Sequence, residues 1–167
     1  MDKLIGRSVE VQKLTEYHNS NRSEFIAVYG RRRVGKTFLV TAVFNNKYAF
    51  EVTGIIGGTR KEEMDSFYSA LMSYGYKGTR PENWMQMFEA LKALLAANTS
   101  KRKVLFIDEL PCFDTPKSGF VKALDYFWNS WASKRDDILM IVCGSATSWI
   151  VKNIIDNHGG LHNRITH

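Results

Sequence analysis

A cluster of cations between two glycines is the first feature of this chain that could do chemistry. The stretch FIAVYGRRRVGKTFLV (25–40) places an apolar segment before Gly30, then three arginines, then Gly35-Lys36-Thr37 and a second apolar segment. Three adjacent like charges repel one another, so an anionic ligand is expected beside them. The spacing matches G-x-x-x-x-G-K-[ST], which forms a phosphate-binding loop when a strand precedes it and a helix follows it.

In such a loop the glycines let successive backbone N–H groups point at phosphate oxygens, and the following helix adds its positive N-terminal end. Lys36 is predicted to reach the β- and γ-phosphates, and the Thr37 hydroxyl to bind Mg²⁺. The predicted nucleotide-binding residues here are Gly30, Arg31, Arg32, Arg33, Val34, Gly35, Lys36, Thr37 and Phe38. Two alternatives stay open for the arginines: they point into water, or the loop binds nucleic-acid phosphates.

Two further segments end in polar residues. VLFIDEL (104–110) carries Asp108, predicted to bind Mg²⁺ directly or through water, and Glu109, predicted to orient and polarise an attacking water. A helix cap for Asp108 and a solvated surface charge for Glu109 are the alternatives. ILMIVCGS (138–145) ends in Ser145, predicted to sense the γ-phosphate, with a helix N-cap as its competing role.

The elements that must position these residues alternate between strands and helices. Short apolar runs predict buried strands over 25–30, 103–110 and 138–145, with a weaker fourth over 48–54. Apolar stripes at helical spacing begin at Trp84 and Phe120, and Thr59 with Glu62 has capping-box spacing. This alternation predicts parallel pairing and one three-layer α/β domain over 1–167.

Composition sets the broad class. The 167 residues carry a net charge of +6 and a usual share of apolar side chains, which suits either a nucleic-acid partner or a phosphate-binding enzyme. No apolar run is long enough to span a bilayer, so we expect no membrane partner and a cytoplasmic protein. The two cysteines form no CxxC pair, which is consistent with a reducing compartment.

An ordered set of motifs spans nearly the whole chain: IGRSVEVQKL (5–14), VYGRRRVGKT (28–37), LFIDELP (105–111), CGSATSW (143–149) and LHNRIT (161–166). With this set the chain resembles the archaeal-type P-loop ATPases, in the ASCE division and related to the STAND and AAA+ groups. The resemblance implies a three-layer P-loop NTPase fold with a mostly parallel sheet. It also implies ATP or ADP and Mg²⁺ as cofactors.

The resemblance implies further site residues. Ile5, Gly6 and Arg7 would lie against the adenine, and Arg164 would reach the γ-phosphate from the same or a neighbouring subunit. The family usually has glycine where this chain has Asn163. His158, His162 and His167 crowd the same end, and loop positions are favoured for them over a metal site because no cysteine or carboxylate pair completes a ligand set.

Such ATPases also have a fifth core strand beside the phosphate-loop strand, followed by a helical lid. Because the chain ends at His167, we expect a fragment that lacks the final core strand and the lid. The strand over 25–30 would then be an exposed edge, which favours pairing with another molecule. A homo-oligomer could form through that edge or through Arg164.

The leading functional prediction is an Mg²⁺-dependent ATPase module that couples hydrolysis to conformational change in further domains. The alternative is a nucleotide-gated switch with little turnover, which could associate with nucleic acid. A GTPase is less favoured, because Asn46-Lys47-Tyr48-Ala49 lacks the aspartate of N-K-x-D. A small-molecule kinase shares the phosphate loop but seldom needs Asp-Glu at a strand end.

Overall fold

The computed structural model describes residues 8–30 and 35–156, and the backbone of 163–166. The helices are α1 (Ser8–Asn19), α2 (Lys36–Phe44), α3 (Arg60–Ser73), α4 (Trp84–Ala97), α5 (Phe120–Ser130) and α6 (Thr147–Ile150), the last continuing as a π-helix over Val151–Ile155. The strands are β1 (Glu24–Tyr29), β2 (Phe50–Thr53), β3 (Lys103–Asp108), β4 (Ile138–Gly144) and β5 (Asn163–Thr166). Short 3₁₀ helices cover Leu110–Phe113 and Ala132–Lys134.

These strands form one sheet in the order β2-β3-β4-β1-β5, with every pair parallel. Helices α1 and α2 cover one face, where Leu39 and Val40 pack with Ile26 and Phe106. Helices α3 to α6 cover the other face and hold most of the aromatic residues. All side chains of β1, β3 and β4 are buried, as strands covered on both sides require. The predicted three-layer α/β fold with a parallel sheet is confirmed.

The helical patterns are also confirmed. Thr59 and Glu62 form a reciprocal capping box at the start of α3. Helix α4 begins at Trp84, and the Asn83 side chain caps it by accepting from the Gln86 N–H. Among the described residues, no helix has the length and apolar character needed to cross a membrane.

One prediction about the sheet is wrong. The strand of the phosphate loop is not an exposed edge, because β5 pairs with it in parallel from Ile26↔Asn163 to Tyr29↔Thr166. The final core strand, expected to be missing, is therefore present over four residues. A segment reading Asn-Arg-Ile-Thr is too short and too polar for its period to predict a strand. It pairs because the backbone groups of buried β1 need partners on both sides.

The amino-terminal edge of the sheet is held by an ionic cluster around Asp137. Lys103 is buried, at 5% exposure, and its ammonium donates to Asp137 Oδ2 at 2.8 Å. Arg135 donates to both oxygens of the same carboxylate, at 2.8 and 2.9 Å. The Lys103 N–H also donates to the Asp137 carbonyl at 2.8 Å. Hydrogen bonds from Arg135 and Lys103 lower the pKa of Asp137 to about 2. This cluster joins the starts of β3 and β4.

We predict that Asp137→Asn lowers the free energy of unfolding at pH 7 by about 2 kcal/mol, because it leaves the buried Lys103 cation without its anion. A carboxyl whose pKa is lowered by folding stabilises the protein above its unfolded value of about 3.9, and this contribution is lost as pH falls toward about 2. The gap between wild type and variant should therefore shrink between about pH 4 and 2. Urea unfolding at several pH values measures it, with Asp136→Asn as control. A gap independent of pH would contradict the cluster's role.

Candidate functional site

The two ends of the predicted phosphate loop lie where the chemistry requires them. Strand β1 ends at Tyr29, Gly30 follows, and α2 begins at Lys36, so the loop joins a central strand to a helix at the carboxyl end of the sheet. Gly35 has φ 81° and ψ 25°, a left-handed conformation that favours glycine. Arg31, Arg32, Arg33 and Val34 lie outside the described residues, so their predicted contacts stay predictions.

The Lys36 side chain extends toward Gly30, the first residue of the phosphate-loop motif. Its side chain is buried, at 7% exposure, and Nζ donates to the Gly30 carbonyl oxygen at 3.2 Å. A buried ammonium is costly to desolvate unless it is hydrogen-bonded or meets an anion. The ammonium therefore lies beside Gly30, at the start of the loop that is predicted to bind phosphate.

The loop and the end of β3 are in direct contact. The Thr37 hydroxyl donates to Asp108 Oδ2 at 2.7 Å, joining residues 71 positions apart in sequence. Asp108 Oδ1 accepts from the Glu109 N–H at 2.9 Å, and the Asp108 carbonyl accepts from the Gly54 N–H at 2.9 Å. Asp108 is buried, at 7% exposure. The two predicted Mg²⁺ ligands are thus adjacent, and the helix-cap alternative for Asp108 does not describe its contacts.

Glu109 does not continue β3, contrary to the predicted strand over 103–110. Its φ of 51° and ψ of 45° are left-handed, and it precedes the 3₁₀ helix Leu110–Phe113. Such a conformation is uncommon for a residue other than glycine and marks local strain. Buried Leu110 and Phe113 fix the helix, with the Phe113 ring stacked on Phe120 at 5.4 Å. The turn therefore presents a half-buried Glu109 from a rigid support.

Gly54 and Gly144 allow the ends of β2 and β4 to approach the turn after Glu109 closely. A methyl group at Gly54, after β2, would lie 2.4 Å from the Glu109 carbonyl oxygen and 2.7 Å from the Cys112 Cβ. A methyl group at Gly144, the last residue of β4, would lie 2.7 Å from Pro111 Cδ. Neither approach leaves room for a side chain. The turn is thus confined from both sides, and neither contact could be predicted from sequence.

The remaining predicted site residues are divided. Ser145 directly follows β4 and is half-buried, while helix α6 begins after Ala146 without a side-chain cap, so the N-cap alternative for Ser145 is not observed. Phe38 lies in the first turn of α2 and is 37% exposed. Arg164 lies within β5 opposite Ala27, and only its backbone is described. Ile5, Gly6, Arg7, His158, His162 and His167 lie outside the described residues.

Sequence reasoning missed an acidic residue near the site. Glu51 lies on β2, and burial together with the nearby charge of Asp108 raises the pKa of its carboxyl. Tyr48, just before that strand, has a buried hydroxyl without a hydrogen-bond partner, and burial also raises its pKa. A charged residue at one position of an otherwise apolar β-strand pattern was the available signal for Glu51. No described contact gives it a role in chemistry.

Two other features are excluded from the chemistry. Cys143 is fully buried in β4, and burial raises the pKa of its thiol, so it is a packing residue and not a nucleophile. The Asn46-Lys47 pair follows the end of α2, at the amino-terminal edge, where Ala49 donates to Val104. It therefore lies at the edge opposite the phosphate loop, which removes a guanine-reading role.

The donor set suits magnesium. A threonine hydroxyl beside a carboxylate offers hard oxygen ligands, and Mg²⁺ typically uses one or two such groups together with substrate phosphates. Within residues 8–30 and 35–156, no group of three or more His, Cys, Asp or Glu side chains could hold a metal. Thr37 and Asp108 therefore make a partial site that phosphate oxygens could complete.

Comparison with known families agrees with this geometry. A family model described as an ATPase domain predominantly from Archaea matches residues 4–167. The chain belongs to this ATPase family. The resemblance drawn from the motifs is confirmed, and ATP binding and hydrolysis are supported at the level of the family.

Curated relatives from Methanocaldococcus jannaschii are similar to parts of the chain. An uncharacterized protein is 27% identical over 169 residues, covering 98% of this chain and 34% of its own length. An uncharacterized ATP-binding protein is 42% identical over 44 residues, covering 26% of this chain and 75% of its own length. The chain thus spans about a third of the first relative.

Solved structures share the fold. A Walker-type ATPase of Pyrococcus abyssi matches with a TM-score of 0.63 and 18% identity, over 96% of this chain and 52% of that one. Cdc6p from Pyrobaculum aerophilum matches with a TM-score of 0.58 and 15% identity, over 95% of this chain and 44% of that one. Drosophila ORC bound to DNA matches with a TM-score of 0.61 and 13% identity, over 99% of this chain and 90% of that one. At these identities the likeness shows the fold alone.

We predict that Gly54→Ala lowers the free energy of unfolding by about 1 to 3 kcal/mol, because the new methyl group meets backbone and Cβ atoms of the Glu109 turn. Urea unfolding measures this loss. Thr53→Ala, at the exposed neighbouring position, is the control and should change stability by less than about 0.5 kcal/mol. Equal effects of the two substitutions would show that the turn is not confined at Gly54.

Proposed function

We propose that this chain is an Mg²⁺-dependent ATP-binding and ATP-hydrolysing module. One observation carries the proposal: the Thr37 hydroxyl donates a hydrogen bond to the Asp108 carboxylate at 2.7 Å, next to the Lys36 ammonium at the start of α2. The loop begins at Gly30 and ends at Gly35, at the carboxyl end of a parallel sheet. This arrangement offers a polyphosphate cations, helix N–H groups and a metal ligand in one place.

Lys36 and the start of α2 would bind the phosphates. The Lys36 ammonium contacts the Gly30 carbonyl at 3.2 Å, and exchange of this neutral acceptor for a phosphate oxygen would give a stronger, charge-assisted bond. The N-terminal end of α2 carries partial positive charge, and N–H groups of its first turn would donate to the same phosphates. The three arginines of the loop would add charge, and Ile5, Gly6 and Arg7 would contact the adenine.

Thr37 and Asp108 would hold Mg²⁺. When bound, the ion would neutralise charge on the β- and γ-phosphate oxygens. The Thr37 hydroxyl could bind the ion through its oxygen and still donate its proton to Asp108, which would bind the ion directly or through water.

Glu109 would orient and polarise the attacking water. It follows the metal-binding carboxylate by one position, and its left-handed backbone turns it out of the strand line. Ser145, at the end of the adjacent β4, would sense the γ-phosphate. Arg164 would stabilise the developing charge from the same or a neighbouring subunit.

We further propose that residues 1–167 form the ATPase core of a longer protein in which nucleotide state drives conformational change. The chain spans 34% of one curated relative and 52% of one solved ATPase, which supports a core that works with other segments. A nucleic-acid partner agrees with the net charge of +6. A homo-oligomer would form through Arg164, since β5 covers the strand edge first considered.

A nucleotide-gated switch with little turnover is the second candidate. The chain spans 34% of one curated relative, so groups needed for fast turnover could lie in segments outside it, and this favours the switch. The switch and the ATPase share every binding residue. They differ in whether Glu109 accelerates water attack.

Lys36→Ala should weaken binding of ATP by about 1 to 3 kcal/mol, because the ammonium contributes charge-assisted hydrogen bonds to the phosphates. Titration calorimetry with ATP, ADP and GTP, each with and without Mg²⁺, measures the change. Lys47→Ala, exposed at the far end of α2, is the matched control and should bind like wild type. Unaltered ATP affinity in Lys36→Ala would overturn the phosphate site.

Glu109→Gln should lower the rate of phosphate release by about a hundredfold or more, because the amide cannot accept a proton from water. Nucleotide affinity should stay within about twofold, since Gln has the same size. Glu89→Gln, exposed on α4, is the control. Equal, near-zero rates for wild type and Glu109→Gln would leave the switch as the function.

A further inference from the structure

The turn after Glu109 is tied to the helix after Ser145 by one side-chain hydrogen bond. Trp149 Nε1 donates to Asp114 Oδ2 at 2.9 Å, joining residues 35 positions apart. Asp114 ends the 3₁₀ helix that Glu109 starts, and its N–H donates to the Pro111 carbonyl. Trp149 is the third residue of α6. Both side chains are half-buried.

We propose that Asp114 and Trp149 are a positioning pair for hydrolysis. Their hydrogen bond holds the segment that contains Ser145 and α6 against the turn after Glu109. Ser145 and Glu109 would then face the same terminal phosphate of the nucleotide. The inference rests on the proposed ATPase function. Each member is separated by several residues of a short helix from the residue that it would position, so its role would be indirect.

Helix α6 needs such an external support. It has four residues before the chain passes into a π-helix, and its N-cap residue Ala146 gives no side-chain cap. A helical segment of nine residues, 147–155, still has little stability of its own and takes its direction from tertiary contacts. Fully buried Ile150 supplies an apolar contact, and Trp149 supplies the directional one. The orientation of the segment after Ser145 thus depends on what holds Trp149.

The pair extends a close contact between the same two segments. A methyl group at Gly144 would lie 2.7 Å from Pro111 Cδ and 3.3 Å from Ile150 Cδ1. The end of β4, the Glu109 turn and α6 therefore meet at van der Waals distance. The Gly144 contact fixes their separation, and the Trp149–Asp114 bond fixes the rotation of α6 about it. Small errors in such placement strongly reduce the rate of a reaction step.

The test compares substitutions that remove the bond with substitutions that keep its shape. Trp149→Phe removes the indole N–H and keeps an aromatic ring, and Asp114→Ala removes the acceptor. Asp114→Asn keeps an acceptor oxygen at the same place. Trp131→Phe is the matched control, because Trp131 is also half-buried but stacks with Arg135 at the amino-terminal edge.

We expect Trp149→Phe and Asp114→Ala each to lower kcat about tenfold while KM for ATP stays within about twofold. Asp114→Asn should keep a kcat well above that of Asp114→Ala, and Trp131→Phe should keep the wild-type value. In the double variant Trp149→Phe/Asp114→Ala, kcat should be no lower than in either single variant. Wild-type kcat in Trp149→Phe with a lowered Tm, or multiplicative losses in the double variant, would overturn the proposal.

Tryptophan fluorescence separates this inference from the proposed ATPase function. Mg-ATP should change the emission of wild type more than Mg-ADP does, and this difference should disappear in Trp149→Phe and persist in Trp131→Phe. If wild type releases no more phosphate than Lys36→Ala yet shows the ATP-specific signal, the ATPase proposal fails and the link between Trp149 and the γ-phosphate stands. Normal turnover of wild type without that signal overturns the inference alone.

Discussion

The carboxylate of Asp108 is the group on which the site depends. One of its oxygens accepts from the Thr37 hydroxyl and the other from the Glu109 N–H, so a single side chain joins the helix after β1 to the turn after β3. Its carbonyl also accepts from Gly54, which ties the end of β2 to the same point. Because Asp108 is buried, each of these bonds acts in a low dielectric and constrains its partner strongly. A change at this carboxylate would alter the contacts of both α2 and the turn after β3.

The core stabilises unusual backbone conformations at the carboxyl end of the sheet. Gly35 and Glu109 both have left-handed backbones, and the second is a residue that disfavours this conformation. The aromatic cluster holds the Glu109 turn through Phe113, while Gly54 and Gly144 allow the adjacent strands to approach it without side chains. Strained residues persist where the surroundings determine them fully, and they concentrate at functional sites. The packing of α3, α4 and α5 on this face therefore bears on the geometry of the proposed chemistry.

The chain belongs to an archaeal ATPase family. All its strand pairs are parallel, so Gly30, Asp108 and Ser145 lie at the carboxyl end of the sheet. The opposite edge has a structural role, with the Asp137 cluster and Arg102 joining strand starts and loops. The two edges differ in chemistry because the carboxyl ends of parallel strands meet helix N-termini, whose free N–H groups attract anions.

The sequence by itself determined the fold class and the first four strands, because buried parallel strands read as continuous apolar runs. It also predicted the phosphate-loop residues, because the loop motif has fixed spacing. It also determined the capping box of α3, which depends on residues three positions apart. Only the tertiary structure decided that Asn163–Thr166 pairs with β1, that Glu109 leaves the strand line, and that Asp114 meets Trp149. The strand pairing and the Asp114–Trp149 bond depend on groups distant in sequence, and the turn at Glu109 depends on a backbone conformation that its own residue disfavours. Local sequence patterns therefore do not predict them.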